Sequence, residues 1–184
     1  DPDGAKKLLE ESGWTDTDGD GYVDKDGQKL SINWLTYPTR LEQPKLAEYA
    51  QATLKDIGID VQVNNTSDHR TFAENGEFDV YVSSTTTAPT GDPEYFFTST
   101  VVGSKNYGNY QNEEVTKLTE QLHQTFDKDE RGKLATELQQ DILDDDAFFF
   151  VSHLNMGIVT KSNVTGMAAH PCDYYEITAD LDVE

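Results

Sequence analysis

Hydrophobic positions along the 184-residue chain recur with two periods, and the switches between them mark the elements. Asp1-Pro2-Asp3 is a helix start: an Asp cap, a proline at the first helical position, an acid in the first turn. Ala5, Leu8 and Leu9 then form a short apolar stripe that Gly13 ends. Residues 15–28 are an Asp/Gly-rich loop. Leu30, Ile32 and Trp34 alternate with polar residues, the period of a strand. Beyond the Pro38 turn, Leu46, Tyr49, Ala50, Thr53, Leu54 and Ile57 repeat at three and four. That predicts a helix over 42–57 with this face buried, closed by Gly58. Ile59, Val61 and Val63 alternate as a second strand, a short helix follows near 68–75, and Phe78, Val80 and Val82 alternate as a third strand. Strands separated by helices predict an α/β fold with a mainly parallel sheet flanked by helices.

After Ser83 the pattern changes. Residues 85–93 are a polar loop with two prolines, 94–100 a short helix carrying Tyr95, Phe96 and Phe97, and 103–112 a Gly/Asn/Tyr loop. Two amphipathic helices follow. The first, over 113–125, has Asn112 as its cap and Val115, Leu118 and Leu122 on one face. The second, over 128–145, opens on the capping box Asp127-x-x-Glu130 and buries Leu134, Leu138 and Ile142. Phe148–Leu154 reads as a buried strand and Met156–Thr160 as another. The tail from Ser162 has no strong period.

Charge narrows the function. Fourteen Lys+Arg against 35 Asp+Glu give a net charge of −21. A phosphate backbone needs cationic neutralisation, so nucleic acid is excluded as a partner, as is docking on an anionic membrane. The longest apolar run, Ala147–Val151, is far too short to span a bilayer. Cys172 is the single cysteine, which excludes an intrachain disulfide and a cysteine zinc cage.

Asp16-Thr17-Asp18-Gly19-Asp20-Gly21-Tyr22-Val23-Asp24 matches most of a calcium loop. The spacing lets the carboxylates of Asp16, Asp18, Asp20 and Asp24 and the Tyr22 carbonyl converge on one hard cation, with Gly21 at the sharp turn. Position 12 departs from the pattern, because Gly27 replaces the bidentate Glu. An Asp/Gly turn held by Asx hydrogen bonds explains the same residues. His69, His123, His153 and His170 are scattered and match no zinc spacing. No nucleophile elbow and no phosphate-cradling Gly loop is present. A small, acidic, calcium-stabilised hydrolase domain is the competing reading, but the spacing picks out no carboxylate pair for it. The loop Thr85-Thr86-Thr87-Ala88-Pro89-Thr90-Gly91-Asp92-Pro93 leaves the carboxyl end of a predicted parallel strand, where open α/β sheets take ligands.

The order of these motifs resembles the second lobe of family 5 extracellular solute-binding proteins, the peptide- and nickel-type receptors of ABC importers. The residues that carry the resemblance are Asp1–Leu9, Gly13-Trp14, the Asp16–Gly27 loop, Gly58-Ile59-Asp60-Val61, Gly76-Glu77-Phe78-Asp79-Val80, Gly91-Asp92-Pro93, the 106–115 segment, Asp127–Arg131 and Val164-Thr165-Gly166. The resemblance implies a periplasmic-binding-protein-like lobe that captures a small solute and hands it to a membrane permease without catalysis. It implies a C-terminal fragment, with 1–154 as the second lobe and 155–184 returning toward an absent first lobe.

On this resemblance Thr85, Thr86, Thr87, Ala88, Pro89, Thr90 and Asp92 line the cleft, joined by Tyr107, Tyr110 and His153. The solute is a peptide or a nickel chelate, with nickel as cargo and no cofactor required. The Thr-rich loop leans away from a standard dipeptide site, and the His170–Tyr175 segment is similar to nickel-type members. The expected setting is extracellular or periplasmic, as a membrane-anchored lipoprotein of a Gram-positive bacterium. An isolated lobe is expected to dimerise through its exposed apolar interface.

Overall fold

The first 84 residues realise the predicted alternation of helix and strand. The computed structural model describes residues 1–155, 157–169 and 177–184. It divides the chain into two units, 1–84 and 85–184. In the first, helix α1 (Pro2–Glu11) starts on Asp1, whose carboxylate accepts the Gly4 N–H at 2.8 Å. A short antiparallel pair follows, β1 (Asp24–Lys25) and β2 (Gln28–Lys29). Strand β3 (Ser31–Thr36) is central in the main sheet. After helix α2 (Glu42–Lys55), strand β4 (Asp60–Asn65) lies parallel to β3, with Ser31 opposite Asp60 and Thr36 opposite Asn65. After helix α3 (His69–Glu74), the short strand β5 (Val80–Tyr81) pairs with the other edge of β3, Leu35 opposite Tyr81.

A strand at the centre of a parallel sheet is covered on both faces, so it is not simply alternating. Leu35 and Thr36 are neighbours on opposite faces and both are fully buried. The Leu30–Ile32–Trp34 pattern reports only one of those faces.

Helix α2 differs from expectation in its buried face. Tyr49 is 70% exposed and Thr53 is exposed, while Gln43 and Ala47 are buried. A small residue lets a helix sit close to a sheet, so the contact centres on Ala47. The Gln51 amide reinforces it by donating to the Val61 carbonyl of β4 at 2.8 Å. Gly58 ends the helix as predicted. Its φ of +81° is left-handed, and a Cβ there would lie 2.9 Å from a Val23 methyl. The Gly58 and Ile59 N–H groups close the last turn on the carbonyls of Lys55 and Leu54, both at 2.9 Å.

In the second unit, helix α4 (Glu94–Phe96) runs into a π-helical turn, Phe97–Val101, closed by the Val102 N–H on the Phe97 carbonyl at 3.0 Å. Helices α5 (Glu113–Gln124) and α6 (Lys128–Asp144) pack against it. Phe97 and Val101 join Val115, Leu118, Leu122, Leu134, Leu138 and Ile142 in one core. The predicted caps are present. Asn112 accepts from Glu114 and Val115, and Asp127 from Asp129 and Glu130. The reciprocal arm of the capping box is replaced, because Glu130 pairs with Lys133 at 3.1 Å instead.

Phe148–Leu154 is not a buried strand. Phe149 is 88% exposed, and the segment pairs with no strand among the described residues. Phe148 packs edge-on against Phe96 and Tyr110, and the half-exposed Phe150 packs edge-on against Phe96. Gly157–Thr160 likewise forms no strand, and Met156 lies outside the described residues. The aperiodic tail instead forms an antiparallel pair, β6 (Val164–Thr165) with β7 (Asp182–Val183). The His170–Tyr175 segment, Cys172 included, lies outside the described residues.

Candidate functional site

The chain direction brings three rings to the carboxyl ends of the parallel strands, where such sheets take ligands. Tyr37 directly follows β3, His69 opens α3 after β4, and Tyr81 ends β5. The Tyr37 and His69 rings stack with centroids 4.0 Å apart and planes 21° apart. His69 Nδ1 lies 2.6 Å from the Tyr81 hydroxyl. Burial, aided by the nearby Arg70 charge, pushes the imidazole below its usual pKa and so favours its neutral form. The Tyr37 hydroxyl accepts the Ser84 N–H at 3.1 Å.

The Thr-rich loop begins at the next residue. Thr85, Thr87 and Thr90 are exposed, whereas Thr86, Ala88 and Pro89 are half-buried. The Gly91 N–H closes a turn on the Ala88 carbonyl at 3.0 Å. Asp92, at the far end, is engaged by a guanidinium. Arg131 Nε donates to its Oδ2 at 2.9 Å and Nη2 to its Oδ1 at 2.6 Å, a two-point fork. Nη2 also reaches Glu94 at 2.8 Å, and Nη1 donates to the carbonyls of Leu122 and Thr125, both at 2.6 Å. Glu94 holds His123 Nδ1 at 2.5 Å with its other oxygen. The guanidinium draws the Asp92 and Glu94 carboxyls below their usual range.

Tyr110 donates its hydroxyl to Asp145 at 2.5 Å, and the Asn112 amide donates to the same oxygen at 2.7 Å. Burial, with the Asp145 charge beside it, pushes the phenol up to about 12. These bonds also account for Asp145 at the end of α6, where the helix dipole disfavours an acid: it receives two donors from outside the helix. Tyr107 is half-buried, and His153 is exposed without a hydrogen bond among the described residues. Asp92 sits with Arg131, Tyr110 with Asp145, and no hydrogen bond among the described residues links one group to the other.

In the acidic loop, carboxylate oxygens of Asp16, Asp18 and Asp24 lie within 4.8 Å of one another. Asp16 accepts the N–H groups of Gly19 and Gly21 at 2.7 and 3.0 Å, so the loop is curled around its first carboxylate. Asp20 turns away to Lys29 at 2.6 Å, which holds its carboxyl below the usual range. Three of the four expected carboxylates thus come together, one fewer than the spacing allowed, and both oxygens of Asp24 accept from Thr17, the N–H at 2.9 Å and the hydroxyl at 2.6 Å. Gly27 adds no side chain.

Sequence reasoning missed the Tyr37–His69–Tyr81 cluster and the Arg131 clamp. The first was legible as three rings placed just after or at the ends of the three strands. The second was masked because Asp127–Arg131 reads first as a helix start.

The family model of bacterial extracellular solute-binding proteins, family 5 (middle region), matches residues 1–108. The chain belongs to that family. The oligopeptide-binding protein AppA of Bacillus subtilis is 30% identical over 179 residues, 94% of this chain and 33% of AppA. The nickel-binding protein NikA of Staphylococcus aureus is 26% identical over 168 residues, 90% of this chain and 34% of NikA. The structure of AppA in complex with a nonapeptide superposes with a TM-score of 0.67 at 30% identity, covering 79% of this chain and 30% of AppA. That of S. aureus NikA in complex with Ni(L-His)2 superposes with a TM-score of 0.70 at 28% identity, covering 80% and 30%. The chain spans about a third of the length of these relatives. Family members are binding proteins rather than enzymes, and the hydrolase reading has no support among them. No helix among the described residues is long and apolar enough to cross a membrane.

Proposed function

We propose that the chain is the second lobe of an ABC-importer substrate-binding protein that captures a small solute, a peptide or a nickel chelate, and catalyses nothing. The reading is carried by one observation: a polar, hydroxyl-rich loop leaves the carboxyl end of β5 in a parallel three-stranded sheet. The family match and the peptide- and nickel-binding relatives support it. On this reading residues 1–154 belong to the lobe and 155–184 return toward a first lobe. Thr85 to Thr90 meet the solute, with Tyr107 and His153 beside them. Asp92 and Tyr110, held by Arg131 and Asp145, shape the wall rather than touch cargo. The parent protein is an extracellular lipoprotein of a Gram-positive bacterium that docks on its permease. The lobe alone dimerises through apolar side chains such as Phe149 and Val159.

Calorimetry on the full-length protein tests this with two probes, a nonapeptide and Ni(L-His)2. One of them binds, and the double variant Thr85→Val/Thr87→Val weakens it about tenfold by removing two hydroxyl partners. Failure of both probes, or unchanged affinity in the double variant, overturns the reading.

The acidic loop is proposed as a structural calcium site, supported by the convergence of Asp16, Asp18 and Asp24. Millimolar Ca²⁺ is expected to raise the melting temperature by several degrees, because a ion that binds only the folded state stabilises it. Asp18→Asn removes the rise. A melting temperature unmoved by Ca²⁺ leaves the loop as a hydrogen-bonded turn.

A further inference from the structure

In a parallel ladder, alternate N–H groups of one strand bond to alternate carbonyls of its neighbour. Just past β5, in the register that sets Tyr81 opposite Leu35, the Val82 N–H donates to the Leu35 carbonyl at 3.1 Å. The next bond in the series would join Ser84 to the backbone carbonyl of Tyr37. The Ser84 N–H instead donates to the hydroxyl at the tip of the Tyr37 side chain, at 3.1 Å. A side-chain hydroxyl takes the place of a strand carbonyl at the point where the chain leaves the sheet.

That ring is held by its neighbours. Tyr37 is buried, with 7% of its surface exposed. Its face stacks on His69 at 4.0 Å between centroids. His69 is fixed in turn by the Tyr81 hydroxyl at 2.6 Å, and Tyr81 is paired with Leu35 in the sheet and packed against Phe78 at 5.7 Å. A side chain with so little freedom places its hydroxyl as accurately as a backbone carbonyl would.

We infer that Tyr37, clamped by His69 and Tyr81, is a positioning residue for solute binding: its hydroxyl fixes the point from which the Thr85–Asp92 loop departs. The inference rests on the proposed role of that loop. Positioning a binding loop before the ligand arrives removes ordering cost from association, so loss of the anchor weakens binding without touching a ligand contact.

The test uses the full-length protein and whichever of the nonapeptide and Ni(L-His)2 it binds. Tyr37→Phe keeps the ring stack and deletes only the hydroxyl. The expected result is a three- to tenfold rise in Kd, the equivalent of about one hydrogen bond. Amide exchange at Ser84 and the loop should speed up, while exchange in β3 and β4 stays as in the parent. A merely structural role would lower the melting temperature and leave Kd and the loop's exchange unchanged, and that outcome overturns the inference. His69→Leu, which removes the clamp but keeps the Tyr37 hydroxyl, is expected to raise Kd in the same direction. The Thr85→Val/Thr87→Val variant separates the two claims. If it weakens binding while Tyr37→Phe does not, the loop reading stands and the anchor is overturned. If neither variant changes Kd, both fall.

Discussion

Replacing Arg131 with methionine is expected to destabilise the protein by about 2–4 kcal/mol. The substitution keeps a long apolar stem and removes every donor. Two carboxylates, Asp92 and Glu94, then lose their counter-charge, and the carbonyls of Leu122 and Thr125 lose a donor each. Breaking a fully buried pair costs about 3–5 kcal/mol. The figure is set lower here because the Asp92 side chain is 40% exposed, so water re-solvates part of the charge. The urea midpoint should fall by about 1 M or more.

The same substitution should change the acid response. Asp92 and Glu94 sit below their ordinary values of 3.8 and 4.5 because the guanidinium favours the charged forms. The unfolded chain therefore binds more protons as pH falls through that range. The stabilisation is fully present above about pH 5 and is lost as pH drops through the depressed native values. Arg131→Met should flatten this acid limb along with lowering the plateau. A variant with the parent's midpoint and acid limb would mean that the clamp contributes nothing.

Phe97→Ala should cost about 3–5 kcal/mol. Phe97 is 2% exposed and opens the π-helical turn whose Val101 faces the α5–α6 core. Nothing small nearby can collapse into the space of a phenyl ring, because neighbouring positions are already filled by Leu122, Leu138 and Ile142. Phe149→Ala, a matched deletion, should stay within about 0.5 kcal/mol. Chemical denaturation of the two variants in parallel checks both. Equal losses would mean that the exposed segment is packed in solution.

That contrast marks where sequence reading succeeds and where it stops. Phe97 and Phe149 sit in equally aromatic runs, and only tertiary packing separates them. The α-β-α-β-α-β order was legible because each helix ends near a glycine and each strand shows apolar residues at every second position on one face. The caps at Asn112 and Asp127 were legible because a single side chain satisfies nearby N–H groups. The face of α2 was not. Its apolar stripe includes Tyr49, but the sheet accepts the smaller Ala47, a preference set by how close two backbones approach. The rings at the strand ends escaped notice for a similar reason. Tyr37, His69 and Tyr81 are far apart in sequence, and only the parallel register assembles them. The acidic loop shows the converse: its spacing was plain, but the lysine that draws off Asp20 lies on β2, outside the motif.

Asn112 joins two helix ends with one side chain. Its oxygen caps the start of α5, and its amide nitrogen holds Asp145 at the end of α6. At the opposite end of the pair, Arg131 of α6 takes the last carbonyls of α5. Helix termini ordinarily fray one at a time, each on its own local free energy. Here neither helix can unwind at either end without releasing a partner on the other, so α5 and α6 open and close together as one cooperative element.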